Sequence, residues 1–170
     1  MMMKIRLTKK QDVPFILDIY AYARSFMIKT GNPGQWIDGY PSQEVLLEDQ
    51  RGGNSYVCEN ESGKVVGTFC FKQGVEPNYL KIYNGEWLND EVYGVIHRLA
   101  SDGSLKGFAD HCIAWCFERC LNLRVDTHVD NRIMRHILEK NGFVKCGMIL
   151  VENGTPRIAF QKTVKSETNH

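Results

Sequence analysis

The residues best suited to chemistry in this chain lie between Glu86 and Asn131. A glycine-containing loop, Ser101-Asp102-Gly103-Ser104-Leu105-Lys106-Gly107-Phe108-Ala109, separates an apolar segment from a run with helical spacing. Backbone N–H groups at the start of a helix lack partners and carry partial positive charge, so they suit a phosphate. Gly103 and Gly107 allow a ligand close to the backbone, and Lys106 adds a full positive charge. The loop is not a P-loop, because the Gly-Lys-Ser/Thr ending is missing, and no GxGxxG of a dinucleotide site occurs. By itself the pattern is also that of a plain strand-to-helix turn.

Four side chains are candidates for moving protons. His97 sits on the segment leading into the loop and carries an imidazole able to exchange a proton near neutral pH. Glu86 stands beside Trp87, where an apolar setting would make its carboxylate a base. His128 follows an apolar segment at a place where a cleft could open. Tyr93 is the fourth, although it and Tyr83 also read as packing residues. The plain alternatives are a hydrogen-bonded histidine packed on a helix for His97, and solvated loop positions for Glu86 and His128.

Hydrophobic spacing sets the elements that must position these groups. Lys4–Leu7 alternates as a strand. Val13, Ile16, Leu17, Tyr20, Ala23 and Met27 recur at helical spacing, so a helix is expected over roughly 11–29, ended by Gly31-Asn32-Pro33-Gly34. Ser42 opens a short second helix that stops before Gly52-Gly53. Strands 55–59 and 65–71 flank the turn Asn60-Glu61-Ser62-Gly63 as a hairpin. An irregular stretch, 73–91, follows, and such length inside a domain usually serves function. Strand 93–100, a helix from Leu105 to Leu121 and strand 123–127 come next. Asp130-Asn131 caps a helix whose buried face is Ile133, Met134, Ile137 and Leu138, and Asn141-Gly142 ends it as a left-handed pair. Strands 144–151 and 157–163 close the chain. Helices between the later strands call for at least one parallel pair in a mixed sheet.

The segment Tyr93 to Ala100 with Lys106-Gly107-Phe108-Ala109 resembles the acetyl-CoA-binding motif of the GNAT superfamily of N-acetyltransferases. Leu123 to Thr127, Asn131 and Leu138-Glu139-Lys140-Asn141-Gly142-Phe143 are similar to the family's next strand and helix with its Gly-Phe ending. The resemblance implies an α+β fold in which one mixed, mostly antiparallel twisted sheet is flanked by helices. It implies that Leu99 and Ser101 offer backbone to the pantetheine arm. The N–H groups of Ser104, Leu105, Lys106, Gly107, Phe108 and Ala109 would hold the pyrophosphate, and Asn131 would orient the arm. Ser104 stands where the family has Arg or Gln, and Leu138 where many members have an acidic tyrosine. The implied activity is direct attack of a primary amine, of a small molecule or a protein N-terminus, on acetyl-CoA, with no metal. The alternative is a regulatory or scaffold protein of the same fold that binds acyl-CoA without turnover. A weaker rival is a structural partner protein whose glycine loop binds nothing.

Composition is consistent with this reading. The 170 residues fit one domain over 1–164 with a polar tail at 165–170. A net charge of +1 argues against a nucleic-acid coat, and no apolar run is long enough for a membrane span. The N-terminus does not read as a secretory signal. Cys58, Cys70, Cys112, Cys116, Cys120 and Cys146 lie in apolar segments without a CxxC pair, which suggests reduced core thiols and a cytoplasmic protein. Trp36, Tyr40, Tyr79, Tyr83 and Trp87, with Asp38, Glu76, Glu86, Asp90 and Glu91 between them, would favour a cationic acceptor. A homodimer is compatible with all of this.

Overall fold

A computed structural model describes residues 3–164; the tail expected at 165–170 lies outside them. Strand β1 (Lys4–Leu7) leads through a 3-10 turn at Lys10–Asp12 into helix α1 (Val13–Lys29). Val13, Ile16, Ile19, Tyr20 and Ala23 form its buried stripe. Helix α2 (Gln43–Arg51) starts where the Ser42 hydroxyl accepts the Val45 N–H at 3.2 Å. Then come β2 (Ser55–Glu59), β3 (Val65–Gln73), β4 (Gly94–Ser101), α3 (Phe108–Arg119), β5 (Asn122–Thr127), α4 (Arg132–Lys140), β6 (Val144–Leu150) and β7 (Pro156–Thr163). This is the element order read from the sequence.

The seven strands form one sheet in the order β1-β2-β3-β4-β5-β7-β6. All pairs are antiparallel except β4 with β5. One face packs on α3 and α4, with Phe69, Ile113, Leu123, Leu138 and Phe160 in its core. The other face carries α1 and α2 over Val57 and Ala100, and the long connection between β3 and β4 over Val95. The cysteines are free thiols, buried except for half-buried Cys120. Burial pushes the Cys70 thiol up to about 12. No helix among the described residues is long and apolar enough to cross a membrane.

Three local expectations need correction. The third helix begins at Phe108, not Leu105, because Gly107 is left-handed at φ 75° and cannot lie within a right-handed helix. Leu105 still packs against the core, which is why it fits the apolar spacing. Ile133 is exposed rather than buried, and Asn141 is right-handed, so Gly142 alone adopts the left-handed conformation. The N–H of Phe143 bonds Leu138 O at 3.0 Å and that of Gly142 bonds Glu139 O at 3.1 Å, the closing pattern of a Schellman motif.

Phe108 seats the start of α3. A Cβ added at Gly67 of β3 would lie 2.2 Å from its ring. Gly67→Ala should therefore displace Phe108 and cost roughly 2 kcal/mol of overpacking. A urea denaturation midpoint measures that loss, and an unchanged midpoint would show the ring has room to move.

Candidate active site

The site starts from a break in the sheet. β4 and β5 pair only at Gly94 with Leu123 and Val95 with Arg124, then diverge. On its other side β4 carries a bulge: Phe69 of β3 faces both Arg98 and Leu99. Arg98 sits at φ 51°, a costly backbone for arginine. Its side chain explains how the position is held. Nε and Nη2 donate to Asp49 of α2 at 2.7 and 2.6 Å, and Nη1 donates to the Tyr40 hydroxyl at 3.0 Å.

The divergence opens a narrow cleft of about 70 Å³. Leu99 and Ile113 line it with Thr127, Asn131 and Leu138. The glycine loop joins β4 to α3, which contribute Leu99 and Ile113 to this cleft, but does not itself line it. Gly103 and Gly107 are both left-handed, at φ 79° and 75°. Gly107 is the N-cap of α3 and supplies no side-chain cap, so the first N–H groups of the helix stay free for an anion. A Cβ on Gly107 would touch Asp110 Oδ2 at 3.7 Å and His111 Nε2 at 3.9 Å, ordinary van der Waals distances, so nothing crowds the backbone there. Lys106 is exposed there. The Ser104 hydroxyl and N–H both turn back to Asp102 Oδ1, at 2.5 and 2.9 Å, so this side chain does not reach outward as Arg or Gln would. Loop and cleft together have the donor set and open backbone that a pyrophosphate with an extended arm requires.

On the opposite face of the sheet a larger cleft, about 860 Å³, lies among the loop after α1, the end of α2 and the β3–β4 connection. Its carboxylates are Asp38, Glu48, Asp49, Glu76, Asp126 and Glu152, against Lys72, Arg98 and Arg157. The excess of acids favours a cation there. The two clefts share Gln35, Trp36, Arg98 and Asp126.

The sequence-derived candidates separate clearly. His97 lines the larger cleft, with Nε2 at 3.2 Å from Glu76 Oε2. The hydrogen bond from His97 holds the Glu76 carboxyl below the usual carboxylate range, although burial pushes the other way. Glu86 is exposed and lines neither cleft. His128 lines neither as well: Nδ1 accepts the Asp130 N–H at 3.0 Å, and the ring packs against Gly34. Burial holds the His128 imidazole below its ordinary pKa, Arg157 adds to this, and Asp130 opposes it. Tyr93 is buried, and its hydroxyl accepts the Glu76 N–H at 2.9 Å. Asn131 caps α4, accepting the Met134 N–H at 3.0 Å, while Nδ2 donates to Gln35 Oε1 at 2.9 Å. Cap and cleft wall are thus one residue. Leu138 is fully buried at the cleft wall. Of the acids expected beside the aromatics, Asp38 and Glu76 line the larger cleft, whereas Glu86, Asp90 and Glu91 do not.

Sequence reasoning missed Gln35 and Asp126. Gln35 Oε1 accepts from Asn32, Thr127 and Asn131, and its carbonyl accepts from Arg157, so it ties the loop after α1 to β5, α4 and β7. Asp126 did leave a signal. It is the one acid in the strand Asn122–Thr127, and alternation puts it on the face opposite Leu123 and Val125.

No protein-family model and no curated protein sequence matches the chain. Solved structures do. An acetyltransferase of the GNAT family from Streptococcus agalactiae 2603 is 31% identical, with 96% of each chain covered and a TM-score of 0.86. A GNAT-family acetyltransferase from Listeria monocytogenes 4b F2365 is 16% identical over 95% of each chain, with a TM-score of 0.72. The NatC complex, solved with Gag peptide and CoA, has a chain 14% identical over 96% of this chain and 99% of its own, with a TM-score of 0.58. The last two show the fold alone. With the first, they share one open mixed sheet flanked by helices. The chain belongs to the GNAT family of acetyltransferases.

Proposed function

We propose that the protein transfers the acetyl group of acetyl-CoA to a primary amine carrying further positive charge, on a small molecule or a peptide N-terminus. The observation that carries this reading is the meeting of the two clefts. One is bounded by β4, where its pairing with β5 ends, and by α3, whose first N–H groups carry no side-chain cap, and the other is rich in acids. When bound, acetyl-CoA supplies a thioester carbon open to attack by nitrogen. The N–H groups from Leu105 to Ala109 would hold its pyrophosphate, the expected Ser104 N–H being taken by Asp102, with Leu99, Ser101 and Asn131 along its arm. His97, paired with Glu76, would exchange protons in the acceptor cleft. A peptide acceptor is kept because the NatC neighbour binds a peptide alongside CoA.

Release of free CoA thiol across a panel of amines tests the reading, and the protein's own buried thiols keep the background low. Di- and polycationic amines should be the best substrates. Their kcat/KM should fall about tenfold as ionic strength rises from the tens of millimolar to several hundred, because exposed charges are then screened. Equal rates for neutral amines would remove the charge argument.

Ser104 folded onto Asp102 and the apolar Leu138 favour a second reading, an acyl-CoA-binding protein without turnover. Acetyl-CoA binding without thiol release on the whole panel would select it.

A further inference from the structure

We infer that Asp126 is the general base that takes the proton from the acceptor amine, and that Tyr79 is its positioning residue. The inference rests on the acetyl-transfer reading above and assigns within it a role that the sequence did not suggest.

Beyond Val95 and Arg124 the two parallel strands separate, and the next positions on this face of the sheet are His97 on β4 and Asp126 on β5. Asp126 is the only carboxylate that lines both the narrow cleft and the acid-rich cleft among the described residues. A base for this reaction must reach the nitrogen where it meets the thioester, which is where the two spaces join. His97 lines only the acceptor side and is already bonded to Glu76.

The carboxylate is held for the purpose. Tyr79, 1% exposed, donates its phenol to Asp126 Oδ2 at 2.6 Å. Trp87 holds Tyr79 in turn, through an indole N–H bond to the Tyr79 carbonyl at 3.0 Å. Asp126 Oδ1 accepts no hydrogen bond among the described residues and is not sealed from solvent. One oxygen is therefore fixed and the other is open. The charged and titratable groups around Asp126 are Tyr79 on the connection, His97 and Arg98 on β4, and Arg157 on β7. Arg98 is already paired with Asp49, and Arg157 spends two donors on the carbonyls of Gln35 and Pro156.

The acceptor arrives as an ammonium, R–NH3+, and gives one proton to Asp126 Oδ1, leaving R–NH2 and a neutral carboxyl. The nitrogen lone pair forms the C–N bond to the acetyl carbon of the thioester. The C–S bond breaks, with its electron pair leaving on sulfur. The surplus proton on nitrogen passes to the thiolate, and Asp126 returns its proton to water.

The test compares Asp126→Asn, Tyr79→Phe and His97→Gln with the unaltered protein. It uses the amine that the panel finds best, with acetyl-CoA affinity by calorimetry and thermal unfolding as readouts independent of turnover. Asp126→Asn should keep its acetyl-CoA affinity within about threefold and lose roughly 100-fold or more in kcat/KM at pH 7, the usual scale for a lost general base. Its rate should climb steadily as pH approaches the pKa of the free amine, because the amine then arrives unprotonated. Tyr79→Phe should lose about tenfold and Asp126→Glu should recover part of the activity, whereas His97→Gln should lose less than Asp126→Asn. If Asp126→Asn folds, binds acetyl-CoA and turns over within threefold of the unaltered protein, or if its pH profile is unchanged, the assignment is wrong while the acetyl-transfer reading stands. If the unaltered protein acetylates no amine, that reading fails, and the assignment with it.

Discussion

Gly107→Asp should weaken acetyl-CoA binding by about 100-fold, the effect of setting a like charge against a phosphate at close range in a partly desolvated site. Two causes add. The side chain would occupy the space beside Gly107, where an added Cβ already lies 3.7 Å from Asp110 Oδ2. Its carboxylate would also compete for the free N–H groups at the start of α3, since aspartate is itself a good N-cap. The variant pays a backbone cost as well, because φ is 75° at this position. That cost is about 1 kcal/mol for a residue with a side chain. Gly107→Asn separates these contributions: it shares the shape and tolerates the left-handed region, but has no charge. Its affinity should fall by about tenfold only, and the gap between the two variants should shrink at high salt. Calorimetric titration reads both. If the aspartate variant binds acetyl-CoA as tightly as the parent, the phosphate site is not at this helix.

Asp49→Ala should be among the most destabilising single changes, at roughly 3–5 kcal/mol, the range for removing one partner of a buried ion pair. The Arg98 and Asp49 side chains are 14% and 12% exposed, and two hydrogen bonds join them. Without Asp49 the guanidinium keeps only the Tyr40 hydroxyl, at 3.0 Å. The consequence reaches the site, because Arg98 is the left-handed residue of the β4 bulge and Leu99 follows it into the narrow cleft. The double variant Asp49→Leu/Arg98→Met should be less destabilised than Asp49→Ala, since no charge is then left buried. Urea denaturation of the single and double variants gives the comparison. A loss below about 1 kcal/mol for Asp49→Ala would class the pair with exposed ones.

The parts of this molecule that sequence could deliver are those fixed by local chemistry. Helical spacing along α1 and the turn Asn60-Glu61-Ser62-Gly63 between β2 and β3 each need only near neighbours, and both elements form where expected. Left-handed glycines set boundaries that apolar spacing does not register, hence the early start given to the third helix. The rest of the site is made by contacts between distant residues. Gln35 bonds Thr127, Asn131 and Arg157, which are 92, 96 and 122 positions away. Nothing local marks that glutamine. Tyr79 reads as one more aromatic in a long irregular stretch, yet it is fully buried because Asp126, 47 residues on, takes its phenol. Glu86 illustrates the reverse error. Its neighbour Trp87 turns inward to stack with Tyr79 and Arg124, and the carboxylate beside it faces solvent.

The short ladder between β4 and β5 has one further consequence. Past Val95 and Arg124 each strand keeps a margin of backbone donors and acceptors that the other does not meet. On the outside of a protein such a margin invites pairing with other chains and aggregation. Here it is enclosed: α3 and α4 cover one face, and α1 and the loop around Gln35 cover the other. Under the proposed function, that margin would offer strand-like pairing to a slender, extended guest. On that proposal, selectivity for a thin, unbranched arm would be a matter of access to this margin, decided before any side chain of the cleft is consulted.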